Sequence, residues 1–278
     1  MANDYLAKMF DVSGKVVAVT GGGGILCSVM AEALGRAGAS VAVLDLREDA
    51  AGLVVDKINA MPGGKALAVG VDVLNRESVV QAHEKVVSGL GPVDVLINGA
   101  GGNKKEATTS ADLSFFDLPD SAVRWVFDLN CLGTIMPSQI FCRAMAGRGE
   151  GNIINISSMS AFHPLTKVLG YSAAKAAISN FTEWLAIHMA QDYSTTIRVN
   201  AIAPGFFLTD QNRFLLLDEK TGEPTERGRS IIAGTPMARY GDPEELLGAM
   251  FWLMSEASSF VTGTVVAVDG GFNAFGGV

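Results

Sequence analysis

"VVAVTGGGGILCSVMAEALGRAGASVAVLD", residues 16–45, decides how this chain folds. A short apolar run breaks on four consecutive glycines, Gly21 to Gly24, passes into a helix-like pattern and closes on a second apolar run ending at Asp45. Glycine loses more conformational freedom on folding than any other residue, so such a run needs a physical reason. A helix that opens directly after a strand offers one: its unpaired N–H groups and partial positive charge stabilise a diphosphate. Glycines let the backbone approach without Cβ atoms in the way. Asp45 follows Gly21 by 24 residues, where a carboxylate accepts hydrogen bonds from ribose hydroxyls. The competing reading is a glycine-rich turn beside a surface aspartate, and this stretch alone leaves both open.

Working outward, the same alternation continues. Strands are expected at 15–20, 40–45, 65–72, 93–98, 152–158, 197–203 and 264–269, all rich in Val, Ile, Leu and Ala without strict alternation. That is how strands buried on both faces read. Amphipathic helical stretches lie between most of them; in "LNRESVVQAHEKVVSGLG", Asn75 is placed to cap the helix and Gly89 to stop it. The spacing therefore predicts an α/β chain with about seven parallel strands, helices on both faces and right-handed crossovers. No linker divides the 278 residues, so one domain is expected over 1–278, with residues 206–237 as a lid and 101–120 as a second long connection. Both leave carboxyl ends of strands, where ligands bind in open α/β sheets.

Composition narrows the function. The chain has 49% hydrophobic and 18% charged residues and a formal net charge of −8, which predicts a large core rather than disorder. The acidic balance offers no basic face to a nucleic acid. No basic amphipathic helix and no stretch of bilayer-spanning length points to a membrane. The opening "MANDYLAKMFDVSGK" is mixed and polar rather than a secretory signal, and a cytoplasmic protein is expected. Cys27, Cys131 and Cys142 are odd in number and lack metal-ligand spacing; they read as reduced, packed thiols, with no metal.

The chemistry enters in "NISSMSAFHPLTKVLGYSAAKAAISNF". Tyr171 and Lys175 stand at i and i+4 of an expected helix and share a face. An ammonium beside a phenol favours the phenolate, so Lys175 is expected to lower the Tyr171 pKa and make it a general acid/base. Ser158, at the end of a strand, is placed to donate to a carbonyl oxygen. A solitary YxxxK is ordinarily a solvated helix face; with strand, serine and glycine loop in this order, that reading loses ground.

These pieces together resemble the short-chain dehydrogenase/reductases over nearly the whole chain: "TGGGGILC" (20–27), "DV" (72–73), "NGAG" (98–101), Asn130 in "LNCLG", Ser158, "YSAAK" (171–175), "PGFFLT" (204–209) and "VDGG" (268–271). The resemblance implies a single Rossmann-type, doubly wound NAD(P)-binding domain. It makes Tyr171 the catalytic acid/base, Lys175 its pKa-lowering partner and a ligand of the nicotinamide ribose, Ser158 the carbonyl-polarising group, and Asn130 the holder of a water in a proton relay. It places Gly21, Gly23, Gly24, Ile25 and Leu26 at the diphosphate, Asp45 at the ribose, and Asp72 and Val73 at the adenine. Asn98, Gly99 and Ala100 would steady the sheet beside the cofactor, and Pro204, Gly205 and Thr209 would border the carboxamide. A dimer or tetramer is implied, with helices around 120–146 and 170–192 and the C-terminal tail at its interfaces.

Two departures stand out. The family loop T-G-x-x-x-G-x-G would put glycines at 25 and 27, where this chain has Ile25 and Cys27, and "NGAG" has Gly99 where asparagine is common. A helix N-terminus lowers a thiol pKa, yet packing is the preferred role for Cys27. Asp45 would repel a 2′-phosphate, favouring NAD over NADP; Arg47 either softens this or points into solvent. For the substrate, Asn103, Lys104 and Lys105 after the fourth strand, and Gln211, Asn212 and Arg213 in the lid, suit a hydroxylated anion, although for Lys104 and Lys105 a solvated surface is the preferred reading. "TGGGGIL", the G-G-N-x-K loop, "TDQNR" and the "VDGGFNAFGGV" tail resemble the D-mannonate oxidoreductase, or fructuronate reductase, branch. Its members interconvert a sugar acid and its keto form. A sugar-alcohol or 3-oxoacyl reductase, or a dinucleotide-binding sensor without turnover, is the alternative. His163, in a loop near the site, is expected to be structural.

Overall fold

The computed structural model describes residues 2–208, 213–218 and 221–277. In chain order the main elements are α1 (Ala2–Met9), β1 (Val16–Thr20), α2 (Ile25–Arg36), β2 (Ser40–Asp45), α3 (Glu48–Asn59), β3 (Lys65–Gly70), α4 (Arg76–Leu90), β4 (Val95–Asn98), α5 (Asp120–Arg148), β5 (Gly151–Ile156), α6 (Leu169–Asp192), β6 (Ile197–Pro204), α7 (Arg213–Leu216), α8 (Glu226–Ala233), α9 (Leu247–Met254) and β7 (Val265–Val268). The strands form one seven-stranded sheet in the order β3-β2-β1-β4-β5-β6-β7, and every pairing is parallel.

Alternate residues of each strand feed opposite faces, and both faces are buried. Val17 and Val19 pack with Met30 and Leu34 of α2, Ile58 of α3 and Met250 of α9. Their neighbours Val16 and Ala18 pack on the other side with Val86 of α4, Phe141 and Met145 of α5 and Met189 of α6. This two-sided burial is why the strands read as continuous apolar runs. Each fully buried Leu or Ile contributes about 2 kcal/mol of transfer free energy, so the two layers hold the sheet from both sides.

Local signals set the ends of the elements. The Asn75 side chain accepts from the Ser78 amide at 2.9 Å and starts α4. The stop falls at Gly91 rather than Gly89, because Gly91 takes a φ of 107° that ends the helix while Gly89 stays inside it. Strand β3 ends two residues early, since Asp72 turns the chain by accepting the Leu74 amide at 2.9 Å.

Between β1 and β4 the strand order reverses direction. The connections on either side splay apart there and open a crevice at the strands' carboxyl ends. Among the described residues no helix is long and apolar enough to cross a membrane.

Candidate active site

The crevice is a cavity of about 540 Å³ bordered by Gly21, Gly24, Ile25 and Leu26 after β1, and by Asp45 after β2. Gly101 and Gly102 after β4, Ser158 after β5, Tyr171 and Lys175 on α6, and Pro204 and Gly205 from the end of β6 complete it.

The four glycines divide the work of the loop. Gly21 has φ 64°, and a Cβ there would lie 2.8 Å from the Ala100 backbone; one on Gly22 would lie 2.7 Å from Val43, and one on Gly23 2.9 Å from Ala50. Those three let the loop lie against β2, the start of α3 and the segment after β4. Gly24 begins α2 with no side chain capping it, and the first turn carries no acidic residue. The opening amides of α2 therefore face the cavity without a competing carboxylate, which fits a diphosphate. The Thr20 hydroxyl braces the opposite wall by accepting from the Gly99 and Ala100 amides at 3.1 and 3.2 Å.

Asp45 is fixed by two backbone amides: Oδ2 accepts from Gly23 at 3.0 Å and Oδ1 from Arg47 at 3.0 Å. Its carboxylate is thereby held at the cavity wall. Arg47 borders the same rim and is exposed to solvent.

Ser158, Tyr171 and Lys175 meet on the far side. The Ser158 hydroxyl oxygen accepts from the Ser160 amide at 3.1 Å, which leaves its proton free to donate, and it is hydrogen-bonded to Tyr171. Lys175 is 4% exposed; its Nζ donates to the Ile156 carbonyl at 2.8 Å and lies 5.5 Å from the Tyr171 ring centre. Burial governs the protonation of both groups. It pushes the Tyr171 phenol up, with the Ser158 hydrogen bond pulling the other way. It pushes the Lys175 ammonium down to about 8, against the pull of the neighbouring Cys27 sulfur. The expected lowering of the phenol by the ammonium is thus outweighed: desolvation disfavours the charged form of each.

Asn130 is completely buried. Its Nδ2 donates to the carbonyls of Gly102 at 2.7 Å and Val126 at 2.8 Å, and its Oδ1 accepts from the Gly102 amide at 3.2 Å. It clamps the loop after β4 rather than facing the cavity. Gly101 threads between it and the lysine: a Cβ there would lie 2.6 Å from Asn130 Oδ1 and 3.4 Å from Lys175 Nζ.

A family model described as short chain dehydrogenase matches residues 15–220. This chain belongs to the short-chain dehydrogenase family. An uncharacterized oxidoreductase of Bacillus subtilis is 48% identical over 277 residues, covering 96% of this chain and 98% of that one. A 5-keto-D-gluconate 5-reductase of Escherichia coli is 33% identical over 263 residues, covering 95% of this chain and 97% of that one. A Haemophilus influenzae crystal structure under the provisional name D-mannonate oxidoreductase, with bound NAD, superimposes with a TM-score of 0.91 at 46% identity, covering 98% of this chain and 100% of that one. The chain is a dehydrogenase/reductase, an enzyme of this family with its Rossmann-type sheet.

Two of the departures from the family pattern, Cys27 and Gly99, prove to be one feature. Cys27 lies against Gly99, and a side chain at 99 would overlap the Cys27 sulfur. The thiol occupies the room that an asparagine at 99 would need. Burial pushes the thiol up to about 12, against the pull of Lys175, so Cys27 packs rather than reacts. All three cysteines are free and buried, and among the described residues no group of three or more His, Cys, Asp or Glu could hold a metal ion.

Other sequence-predicted positions fall outside the cavity lining. Asp72 uses its carboxylate in the turn after β3, and Val73 is buried, where a Cβ on Gly133 would lie 2.9 Å from it. Asn98 is buried in the sheet, donating to Ser138 and Asn155 at 2.9 Å each. Asn103 donates to Thr108 at 2.9 Å. Lys104 stacks on Trp125, its Nζ 4.7 Å from a ring centre, so the choice between substrate and solvent resolves into a cation–π contact. Arg213 is exposed at the start of α7. Thr209, Gln211 and Asn212 lie outside the described residues. His163 pairs its Nε2 with the Asn273 carbonyl at 2.9 Å, tying its loop to the C-terminal tail. Phe206 and Phe207, which sequence reasoning did not single out, form an apolar wall of the cavity; two consecutive phenylalanines after the P-G of β6 were the available signal.

Proposed function

We propose that the chain is an NAD(H)-dependent oxidoreductase that interconverts a secondary alcohol and a ketone on a small sugar acid of the D-mannonate/D-fructuronate type. The observation that carries this reading is the convergence of Ser158, Tyr171 and Lys175 on the cavity that the glycine loop and Asp45 border on its other side.

A nicotinamide dinucleotide held in this cavity would supply or accept the hydride, and the chain's own residues do the rest. The Ser158 hydroxyl, its oxygen already engaged by the Ser160 amide, donates to the carbonyl oxygen of the substrate. Tyr171 gives its phenolic proton to that oxygen in reduction and takes it back in oxidation. Lys175 holds a positive charge beneath the phenol and stabilises the phenolate left after proton transfer. Asn130 keeps the Gly101–Gly102 loop clear of both. The uncapped start of α2 holds the diphosphate, and Asp45 accepts the ribose hydroxyls and repels a 2′-phosphate. The names of the Haemophilus and Escherichia coli relatives support a sugar acid, and the NAD in the Haemophilus structure supports NAD over NADP.

The lid expected around 206–237, of which 209–212 and 219–220 lie outside the described residues, belongs to this reading, as does a dimer or tetramer in the cytoplasm. Its interface takes in the helices around 120–146 and 170–192 and the C-terminal tail; on α6, Trp184 stacks on His188 at 4.8 Å and is 55% exposed, with Ile187 exposed beside it.

The test is NADH oxidation, followed at the nicotinamide absorbance, across keto-sugar acids, neutral ketoses and steroids. Turnover strongest with a keto-sugar acid is the expected result. A steroid or neutral ketose clearly preferred, or cofactor binding with silence across the panel, would overturn it.

A further inference from the structure

We infer that Lys167 and Arg227 form the subsite that holds the carboxylate of the substrate. This rests on the sugar-acid reading above and moves the anion anchor away from Lys104 and Arg213.

A second cavity, about 570 Å³, lies next to the catalytic one and shares Phe206 with it. Its walls are the loop from His163 to Lys167, helix α8 and the C-terminal tail. The loop runs from just beyond Ser158 to the start of α6, and Lys167 stands four residues before Tyr171. The two cavities share a wall at Phe206. The Phe206 and Phe272 rings, 5.3 Å apart, give it an apolar wall, and Ser230 adds a hydroxyl.

The charge here runs against the molecule. On a chain of net charge −8, Lys167 and Arg227 both face this cavity, with Glu226 the single acid among its lining residues. Neither cation makes an ion pair among the described residues. Two cations against one acid over a partly apolar wall leave a positive excess that attracts an anion, and a guanidinium grips a carboxylate through two parallel bonds.

The loop is also held in an unfavourable shape. Lys167 has φ 75°, one of two non-glycine residues with positive φ among those described. Its carbonyl accepts from the Thr109 amide at 3.0 Å, and His163 anchors the loop's other end to Asn273. A lysine kept where glycine or asparagine would sit more easily points to a role for its side chain. A ketone held by Ser158 and Tyr171 would have its carboxylate end across Phe206, at these cations.

D-Fructuronate and D-fructose separate the possibilities, because fructose carries a neutral CH₂OH in place of the carboxylate. Arg227→Gln and Lys167→Asn, the latter compatible with positive φ, should each raise the KM for D-fructuronate about tenfold or more. The kcat should stay within about a factor of two, the kcat/KM for D-fructose should be unchanged, and Arg227→Lys should recover part of the loss. An unchanged KM for D-fructuronate in both variants, with the parent enzyme active on it, overturns the subsite and leaves the proposed function standing. A parent enzyme that reduces D-fructose but not D-fructuronate, or neither, overturns the sugar-acid reading and this subsite with it.

Discussion

The Cys27 sulfur fills the space that a side chain at position 99 would enter, although the two residues lie 72 positions apart in sequence. The pair separates the start of α2 from the end of β4 at the cavity. Gly99→Ala should therefore overpack the junction and lower stability by roughly 1–3 kcal/mol, with weaker NADH binding. Cys27→Gly combined with Gly99→Ala should recover part of this. Recovery stays partial because the Thr20 carbonyl would lie 2.9 Å from the new methyl. Denaturant unfolding of the two single variants and the double gives the coupling directly; additive losses would mean the two positions do not share that space.

Tyr171 lies beside Lys175 and Ser158 at the cavity, and in the proposed reaction its hydroxyl is the group that transfers a proton to the carbonyl oxygen. Tyr171→Phe keeps the ring and removes the proton. Turnover should fall by roughly 10²–10⁴-fold, while the dissociation constant for NADH, read by fluorescence titration, moves by less than about threefold. Near-normal turnover would remove Tyr171 from the chemistry.

The sheet was legible because its signal is local. Each strand is an apolar run bounded by turn residues, and both faces of β1, from Val16 and Ala18 to Val17 and Val19, are buried. The Tyr171–Lys175 spacing was legible for the same reason, since i and i+4 share a helix face. Their protonation was not. It depends on how deeply α6 sinks against β5, which no local pattern encodes, and desolvation reversed the expected sign at Tyr171. The Cys27–Gly99 complementarity was invisible in sequence because it is a contact between the first turn of α2 and the segment after β4, brought together only by the pairing of β1 with β4. Lys104 looked available as a cation until α5 placed Trp125 beneath it.

The proposed preference for NAD over NADP rests on Asp45. Its carboxylate is held by the Gly23 and Arg47 amides, and Arg47 lines the same rim. Asp45→Asn removes the charge that repels a 2′-phosphate and keeps an amide oxygen as acceptor, leaving Arg47 to pair with the phosphate. Removing a unit repulsion at about 4 Å near a surface is worth roughly 1–4 kcal/mol. The preference for NAD over NADP, as a ratio of kcat/KM, should drop by about tenfold or more. An unchanged ratio would place the discrimination elsewhere.

Lys175 opposes the stability of the fold that uses it. Its ammonium is buried at 4% exposure and its pKa is pushed from 10.5 down to about 8. The unfolded chain therefore binds a proton more readily than the folded one between those values, and stability contributed by this group rises with pH across that window. The penalty is present in full below pH 8, on the order of 3 kcal/mol, and fades as pH approaches 10.5. Lys175→Met fills similar space without charge, at the loss of the hydrogen bond to the Ile156 carbonyl, about 1 kcal/mol. At pH 7 the variant should melt several degrees above the parent, with turnover reduced by orders of magnitude. The melting advantage should shrink steadily from pH 8 to pH 10. Thermal melts of both proteins across that range check the sign: a variant less stable than the parent at pH 7, or an advantage that grows with pH, would mean that the buried ammonium does not carry this penalty.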